Sequence, residues 1–147
     1  MKNYKFLFIN GPNINFLGKR EPEIYGRVNY KKLVNIIEET CNKLNIIPDI
    51  FQSNSEGDLI DKIQKSEDID LIIANLGAYT HTSIAIRDAL LSINKPVIEV
   101  HISNVFKREK FRHISYIGDI AIGVISGFGI YSYILAIEAG INFLKKR

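Results

Sequence analysis

Cysteine is scarce in this sequence of 147 residues: Cys41 is the only one, and it lies inside a helical pattern. A single cysteine cannot form a disulfide within its own chain, and no Cys-x-x-Cys pair of the zinc-binding or redox type is present. A chain of this length buries enough apolar surface to fold without a disulfide or a metal. We therefore expect one domain over residues 1–147. Because no long apolar segment with a cleavage site precedes the first apolar run, we also expect a cytoplasmic location.

A strong excess of one charge is also missing, and so is a long apolar helix. Lys and Arg number 19 against 16 Asp and Glu, which gives a net charge of +3, and the basic residues are spread over the chain. This distribution does not favour nucleic-acid binding. Residues 120–137 are uncharged, but glycines and hydroxyl side chains interrupt them at the lower length limit for a membrane span. We expect a buried strand and a buried helix there, with no nucleic-acid or membrane partner.

Apolar runs rich in Ile and Val alternate along the chain with helical patterns. Such alternation is typical of crossover units in a parallel sheet that is covered on both faces. It predicts a flavodoxin-like, doubly wound, five-stranded parallel sheet with helices on both faces. The predicted strands are Tyr4–Ile9, Ile46–Gln52, Leu71–Asn75, Val97–His101 and Ile120–Ser126, and the predicted helices are Asn29–Asn45, Asp58–Ser66 with Ser55 as a cap, Thr82–Ile93 and Ile130–Lys145.

Polar segments follow three of these strands. They are Asn10–Asn13, Asn75–His81 and Glu99–Ser103. In open α/β sheets, ligands bind beyond the carboxyl ends of the strands near the switch in strand order. The three segments are therefore expected to meet at one rim and to form the binding site.

Motifs of several ligand classes are absent. No glycine-rich phosphate loop follows the first strand, as an FMN carrier would need, and no acidic residues stand there, as a phospho-receiver would need. His81, His101, His113 and Glu99 are residue types that bind metals, but they lack the spacing of a metal motif. We expect no metal and no cofactor.

The long segment Asn10–Gly26 is rich in Gly, Pro and Asn. Long irregular loops in compact domains are either functional lids or surface turns. Read as a lid, the segment brings Arg20 near Tyr25, and a nearby cation favours the phenolate form of a tyrosine.

Residues 99 and 101 lie on the same face of one strand. Glu99 can therefore orient His101 as an acid or base, although a purely structural buried pair is an alternative. His81 is either a helix-entry residue bonded to backbone or a ligand-binding side chain. Arg108 and Arg112, spaced i and i+4, would share one face of a helix, either as a solvated basic surface or as a pair that faces an anionic ligand.

Several unusual strings, in order, resemble the type II 3-dehydroquinate dehydratases. They are Asn10–Gly26, Asn75–Ser83, Glu99–Asn104, Phe111–Tyr116 and Ser126–Gly129. The resemblance implies a single catalytic domain that converts 3-dehydroquinate to 3-dehydroshikimate and water through an enolate, in the shikimate pathway. It also implies that no metal, Schiff base or organic cofactor takes part, and that the protein is a homo-oligomer, a dodecamer built as a tetramer of trimers.

The resemblance also implies roles for proton transfer. Tyr25 matches the base and Arg20 the arginine that holds it as phenolate. Asn13 matches the residue that positions a water at the enolate. His101, backed by Glu99, matches the acid that protonates the departing hydroxyl.

The remaining matched residues bind the substrate. Asn75, Ile102 and Ser103 match the carboxylate site, His81 and Arg112 the ring-hydroxyl site, Arg108 the second lid arginine, and Asp88 a residue that reaches a neighbouring subunit's site. Leu76 and the pair Gly118-Asp119 depart from the residues common in the family, at positions without a matched role.

Overall fold

A computed structural model describes residues 2–19, 21–25 and 27–147. Arg20, for which the sequence predicts a catalytic role, lies outside the described residues, as do Met1 and Gly26. Within the described residues, five parallel strands form one sheet in the order β2-β1-β3-β4-β5. The strands are β1 (Tyr4–Asn10), β2 (Ile46–Gln52), β3 (Leu71–Asn75), β4 (Val97–His101) and β5 (Gly123–Ser126). This is the predicted flavodoxin-like sheet, with its switch in strand order between β1 and β3.

Helices cover both faces of the sheet. They are α1 (Pro22–Tyr25), α2 (Tyr30–Lys43), α3 (Glu56–Gln64), α4 (Ile84–Ile93) and α5 (Tyr131–Lys145). Alternate residues of β1 point to opposite faces, so Phe6 and Phe8 pack with α2 and α5, while Leu7 and Ile9 pack with α3 and α4. The sheet thus separates two apolar cores, as a doubly wound fold requires.

Side-chain caps set the starts of three helices. Asn29, Ser55 and Ser83 accept hydrogen bonds from the backbone N–H groups of Lys32, Asp58 and Ile86. The predicted cap Ser55 is confirmed. The helix predicted from Thr82 begins at Ile84 instead, because residues 77–81 form a 3₁₀ turn before it.

Local packing sets the buried face of α2 and the start of β5. The fully buried residues of α2 are Leu33, Ile37 and Cys41, spaced one turn apart, and Leu44 packs partly buried against the same core. The strand predicted from Ile120 begins at Gly123, because the backbone N–H groups of Ile120 and Ala121 turn back to the carbonyl of Ile117.

The departures at Leu76 and Gly118 have structural roles. Leu76 is fully buried and packs in the core beside α3 and α4. Its backbone carbonyl passes so close to Gly11 that a side chain at position 11 would overlap it. A Cβ atom at Gly118 would lie 3.2 Å from Glu99 Oε1, so the glycine lets its loop approach that carboxylate.

Candidate active site

The three polar segments meet at the carboxyl edge of the sheet, where they line one pocket. Residues 12–14, Tyr25 and the 3₁₀ turns after β3 and β4 surround the ends of the strands. The lining residues are Pro12, Asn13, Ile14, Tyr25, Asn75, Gly77, Ala78, His81, His101, Ile102, Ser103, Val105, Arg108 and Arg112. The structure thereby brings together nine of the residues singled out in the sequence, with Glu99 directly behind His101.

Tyr25 and Arg108 form the loop side of the pocket. Tyr25 ends the four-residue helix α1, and Arg108 Nη1 donates a hydrogen bond of 2.5 Å to its phenolic oxygen. The guanidinium also lies 5.0 Å from the centre of the Tyr25 ring. A cation at this distance stabilises a negative charge on the phenolic oxygen.

Arg108 has two acidic neighbours as well, Glu21 at 3.7 Å and Glu109 at 3.8 Å. Its side chain is only 10% exposed. Among the described residues, no hydrogen-bond acceptor reaches its buried Nε atom. A buried guanidinium with an unused donor beside a pocket favours an anionic or oxygen-rich ligand.

The two arginines do not lie on one helix, so they do not share a helical face. Residues 105–107 and 110–112 form separate 3₁₀ turns, and Arg108 between them is extended. Both side chains nevertheless reach the pocket. Arg112 Nε lies 3.3 Å from both carboxylate oxygens of Glu109, which holds the guanidinium on the pocket wall.

Glu99 and His101 form a buried pair at the end of β4. His101 Nε2 lies 2.5 Å from Glu99 Oε2, and neither side chain is more than 8% exposed. Thr80 and Ser115 each donate a hydrogen bond of 2.8 Å to the same carboxylate. Burial alone would raise the pKa of Glu99, but these hydrogen bonds and that from His101 outweigh it, and the pKa lies below its usual range.

A carboxylate that stays ionised favours a hydrogen on the facing His101 nitrogen. Nε2 therefore donates to Glu99, and Nδ1 is the ring nitrogen that remains for a ligand. This pairing fixes the ring of His101 and leaves Nδ1 available to a ligand, the arrangement that general acid–base catalysis requires.

His81 stacks on His101, with ring centres 6.2 Å apart and an interplanar angle of 14°. Its Nδ1 lies 2.7 Å from the carbonyl oxygen of Ile114 and donates to it, since a carbonyl only accepts. Burial holds the pKa of His81 below its usual range, with smaller lowering contributions from the charges of His101 and Arg112 and an opposing contribution from the Ile114 bond. His81 is thus neutral at pH 7 and presents Nε2 as an acceptor.

Asn75, at the end of β3, forms the floor of the pocket. Its Nδ2 donates to the hydroxyl of Tyr133 at 2.8 Å, and that hydroxyl donates to Asn10 Oδ1 at 2.6 Å. Ile102 and Ser103 continue the floor after β4. Their carbonyls accept hydrogen bonds from Gly129 N–H at 3.0 Å and Ser126 Oγ at 2.9 Å, which fixes the peptide groups that line the pocket.

Asn13 lies at the loop side of the pocket in a left-handed conformation, with φ of 69°. Asparagine tolerates this conformation better than most residues. Asn13 N–H donates to Asn54 Oδ1 at 3.0 Å. The bond ties the loop to the segment after β2.

Asp88 is the one described member of the matched set that stands apart from the pocket. It is exposed on α4 and is not a lining residue.

Sequence reasoning assigned no site role to Thr80, Ser115 and Tyr133. The one available signal for Tyr133 is its place in an apolar helical pattern, because a tyrosine that becomes buried there needs a hydrogen-bond partner for its hydroxyl.

Among residues 2–19, 21–25 and 27–147, no group of three or more His, Cys, Asp or Glu side chains is arranged to hold a metal ion. No helix in the same part of the chain is long and apolar enough to cross a membrane.

Comparison with known proteins gives a consistent result. The model of the family "dehydroquinase class II" matches residues 4–141. The 3-dehydroquinate dehydratase of Dictyoglomus turgidum is 54% identical over 143 residues, which cover 97% of this chain and 99% of the relative. The 3-dehydroquinate dehydratase of Caldicellulosiruptor saccharolyticus is 56% identical over 137 residues, with 92% and 94% covered. The crystal structure of type II dehydroquinase from Butyrivibrio crossotus matches with a TM-score of 0.93 at 53% identity, over 95% of this chain and 98% of that one.

Proposed function

This chain belongs to the dehydroquinase class II family; it is a hydro-lyase that dehydrates 3-dehydroquinate to 3-dehydroshikimate in the shikimate pathway, and we propose that Tyr25 is its base and His101 its acid. We further propose that residues 1–147 act as a single catalytic domain. The observation that carries the assignment of roles is the pocket itself. It holds a tyrosine bonded to an arginine on one side and a histidine bonded to a carboxylate on the other.

The base acts first in the proposed reaction. Tyr25, as phenolate, takes a proton from C2 of the substrate, and the electron pair moves onto the adjacent ketone to give an enolate. Arg108, at 2.5 Å from the phenolic oxygen, supports the phenolate, and Arg20 is proposed to support it as well. Asn13 holds a water that donates to the enolate oxygen, where negative charge develops.

The acid acts second. The enolate collapses to the conjugated ketone, the bond from C1 to its hydroxyl breaks, and His101 gives that oxygen a proton so that it leaves as water. Tyr25 then gives the proton from C2 to solvent and His101 takes one from solvent, so atoms and charge balance over the cycle. The ionised Glu99 accepts a hydrogen bond from His101 and holds its ring in place for this step.

Substrate binding uses the rest of the pocket. Asn75 and the peptide groups of Ile102 and Ser103 are proposed to hold the carboxylate, on the floor made by the ends of β3 and β4. His81 and Arg112 are proposed to hold the ring hydroxyls. The neutral His81 offers an acceptor and Arg112 offers donors, which suits hydroxyl groups that both donate and accept.

The test is an absorbance assay for the conjugated enone product with 3-dehydroquinate as substrate. Wild-type protein should form the product, and Tyr25→Phe should form it far more slowly. Tyr131→Phe is the matched control, because Tyr131 is 53% exposed and does not line the pocket. Absence of product with folded wild-type protein would contradict the proposed function.

A Schiff-base mechanism is the chemical alternative for dehydrating this substrate. It needs a lysine amine at the substrate ketone. None of the described residues that line the pocket is a lysine. Borohydride added with substrate should therefore leave activity unchanged, and inactivation that depends on substrate would overturn the enolate route.

We also propose that the active form is a homo-oligomer, a dodecamer of four trimers, in which Asp88 reaches a neighbouring subunit's site. The support is that Asp88 is exposed on α4, away from the pocket of its own chain. Mixing inactive Asp88→Ala and Tyr25→Phe subunits should regenerate some complete sites. Remixing Asp88→Ala with itself is the control, and full activity from a verified monomer would defeat the idea.

A cytoplasmic location is likewise a proposal. It is supported by the biosynthetic role of the family and by Cys41, which is buried and not in a disulfide. Fractionation of cells that express the tagged protein would test it.

A further inference from the structure

Three buried side chains from three elements form a chain of hydrogen bonds beneath the pocket floor. Asn75 is at the end of β3, Tyr133 is in the first turn of α5 and Asn10 is at the end of β1. None is more than 2% exposed. Asn10 and Asn75 are also register partners in the sheet, so the hydroxyl of Tyr133 bonds to two neighbouring strand ends at once.

The direction of this chain follows from counting hydrogens. Tyr133 has one hydroxyl hydrogen, and it goes to Asn10 Oδ1 at 2.6 Å. The hydroxyl oxygen must then accept, and Asn75 Nδ2 donates to it at 2.8 Å.

The other end of the Asn75 amide is fixed independently. Its Oδ1 accepts from the backbone N–H of Gly77 at 3.3 Å. A reversed amide would place the Nδ2 donor against that N–H donor and leave both buried groups unsatisfied, which is costly. One hydrogen of Nδ2 is thus engaged by Tyr133, and the second is left for the pocket that Asn75 lines.

We propose that Tyr133 is a positioning residue that holds the Asn75 amide with its free N–H donor facing the substrate carboxylate. The inference rests on the proposed function, in which Asn75 binds that carboxylate. Tyr133 itself is not a lining residue of the pocket, so it acts through Asn75. Burial raises the pKa of Tyr133 above its usual range, so its hydroxyl keeps the hydrogen that sets the direction of the chain.

The effect should fall on substrate binding, because the carboxylate is held equally before and during the reaction. Tyr133→Phe removes the hydroxyl and keeps the ring. We expect KM for 3-dehydroquinate to rise about tenfold, the effect of weakening one hydrogen bond to a charged group. We expect kcat to stay within about twofold, with an unmoved pH profile, as uniform binding predicts. Tyr131→Phe, in the same helix but with an exposed side chain, is the matched control.

A double-mutant comparison separates positioning from a general structural role. In an Asn75→Ala background, Tyr133→Phe should raise KM no further, because the group through which it acts is gone. An equal rise in both backgrounds would overturn the inference, as would a fall in kcat with KM unchanged.

If Tyr133→Phe does not fold, Asn10→Ala tests the same point, because it lets the Tyr133 hydroxyl turn toward Asn75. The same rise in KM, again absent with Asn75→Ala, is then expected, and no rise would overturn the inference. An inactive wild-type protein would contradict the proposed function instead.

Discussion

The two sides of the pocket are built in different ways. The strand-end side (Asn75, Glu99 and His101) is at most 6% exposed and stands on β3 and β4, where each side chain is bonded to other buried groups. The loop side (Tyr25, Arg108 and Arg112) stands on a four-residue helix and on 3₁₀ turns, and charged contacts hold it together.

The difference assigns a separate task to each side. The strand-end side is fixed by the fold, so the proposed acid and the proposed carboxylate site are in place before substrate binds. The loop side depends on a few charge interactions, among them the hydrogen bond from Arg108 to the proposed base Tyr25. Substitutions on the loop side should therefore change activity with little loss of stability, whereas those on the strand-end side should change both.

Tyr25→Phe should have the largest effect. Removing a positioned base typically costs about 10²- to 10⁴-fold in rate, and we expect that loss in kcat. Because Tyr25 lies on a four-residue helix and is only partly buried, the unfolding midpoint in urea should match that of wild type. Steady-state kinetics and urea unfolding on the same preparation test both statements. A kcat near that of wild type would remove Tyr25 from the mechanism.

Glu99→Gln should lower both activity and stability. The amide keeps the shape of the carboxylate but not its charge, so His101 loses the charged acceptor that orients its ring. We expect kcat to fall about tenfold to a hundredfold, toward the lower end of acid–base effects. We also expect a loss of about 1–3 kcal/mol in the free energy of unfolding, because Thr80 and Ser115 donate to this carboxylate.

A Glu99→Gln enzyme with full activity and lowered stability would mean that the buried pair serves the fold alone. Asp119→Asn is a suitable charge-matched control. Asp119 also pairs with an arginine, Arg87, but its side chain is 66% exposed. Exposed ion pairs contribute little, so this variant should stay close to wild type in both measurements.

The sequence predicted the strand-end side better than the loop side. The bounds of β2, β3 and β4 are as predicted, because continuous apolar runs and alternation define a buried strand. The contact between Glu99 and His101 follows from their spacing in one strand. By contrast, the turns at 105–112 have no periodic pattern, so the spacing of Arg108 and Arg112 alone could not show how both side chains reach the pocket.

Contacts between distant segments were the other part that the sequence could not give. Ser115 reaches Glu99 through a loop whose backbone is tied to the turn after β3, where Tyr116 N–H donates to the carbonyl of Thr80 at 2.8 Å. Tyr133 reaches Asn75 across 58 positions of the chain. Neither contact has a local signature, since both depend on how the elements pack.

Arg108→Gln should have an intermediate effect and report on the loop side. It removes the cation bonded to Tyr25, so the negative charge on the proposed base loses its partner. At pH 7 we expect a loss of about tenfold to a hundredfold in kcat/KM. Arg108→Lys keeps the charge without the guanidinium fork and should fall between wild type and Arg108→Gln. A kcat/KM near that of wild type in Arg108→Gln would show that another group supports the base.

Ser115→Ala should have the smallest effect, visible mainly in acid. The pKa of Glu99 is below its usual range in the folded protein. Its ionised form therefore contributes stability that is present above the unfolded-state pKa and is lost as the pH falls through the lower, folded value. Removing the Ser115 donor raises the folded pKa toward the usual range, so acid unfolding should begin at a higher pH than in wild type. At neutral pH we expect a loss of about 1 kcal/mol, the net effect of one hydrogen bond. Urea unfolding at several pH values measures the acid sensitivity and the loss at neutral pH. Ser92→Ala is the control, because the Ser92 hydroxyl is on an exposed helix surface and donates to the carbonyl of Asp88. Equal acid sensitivity in the two variants would show that Ser115 does not stabilise the Glu99 carboxylate.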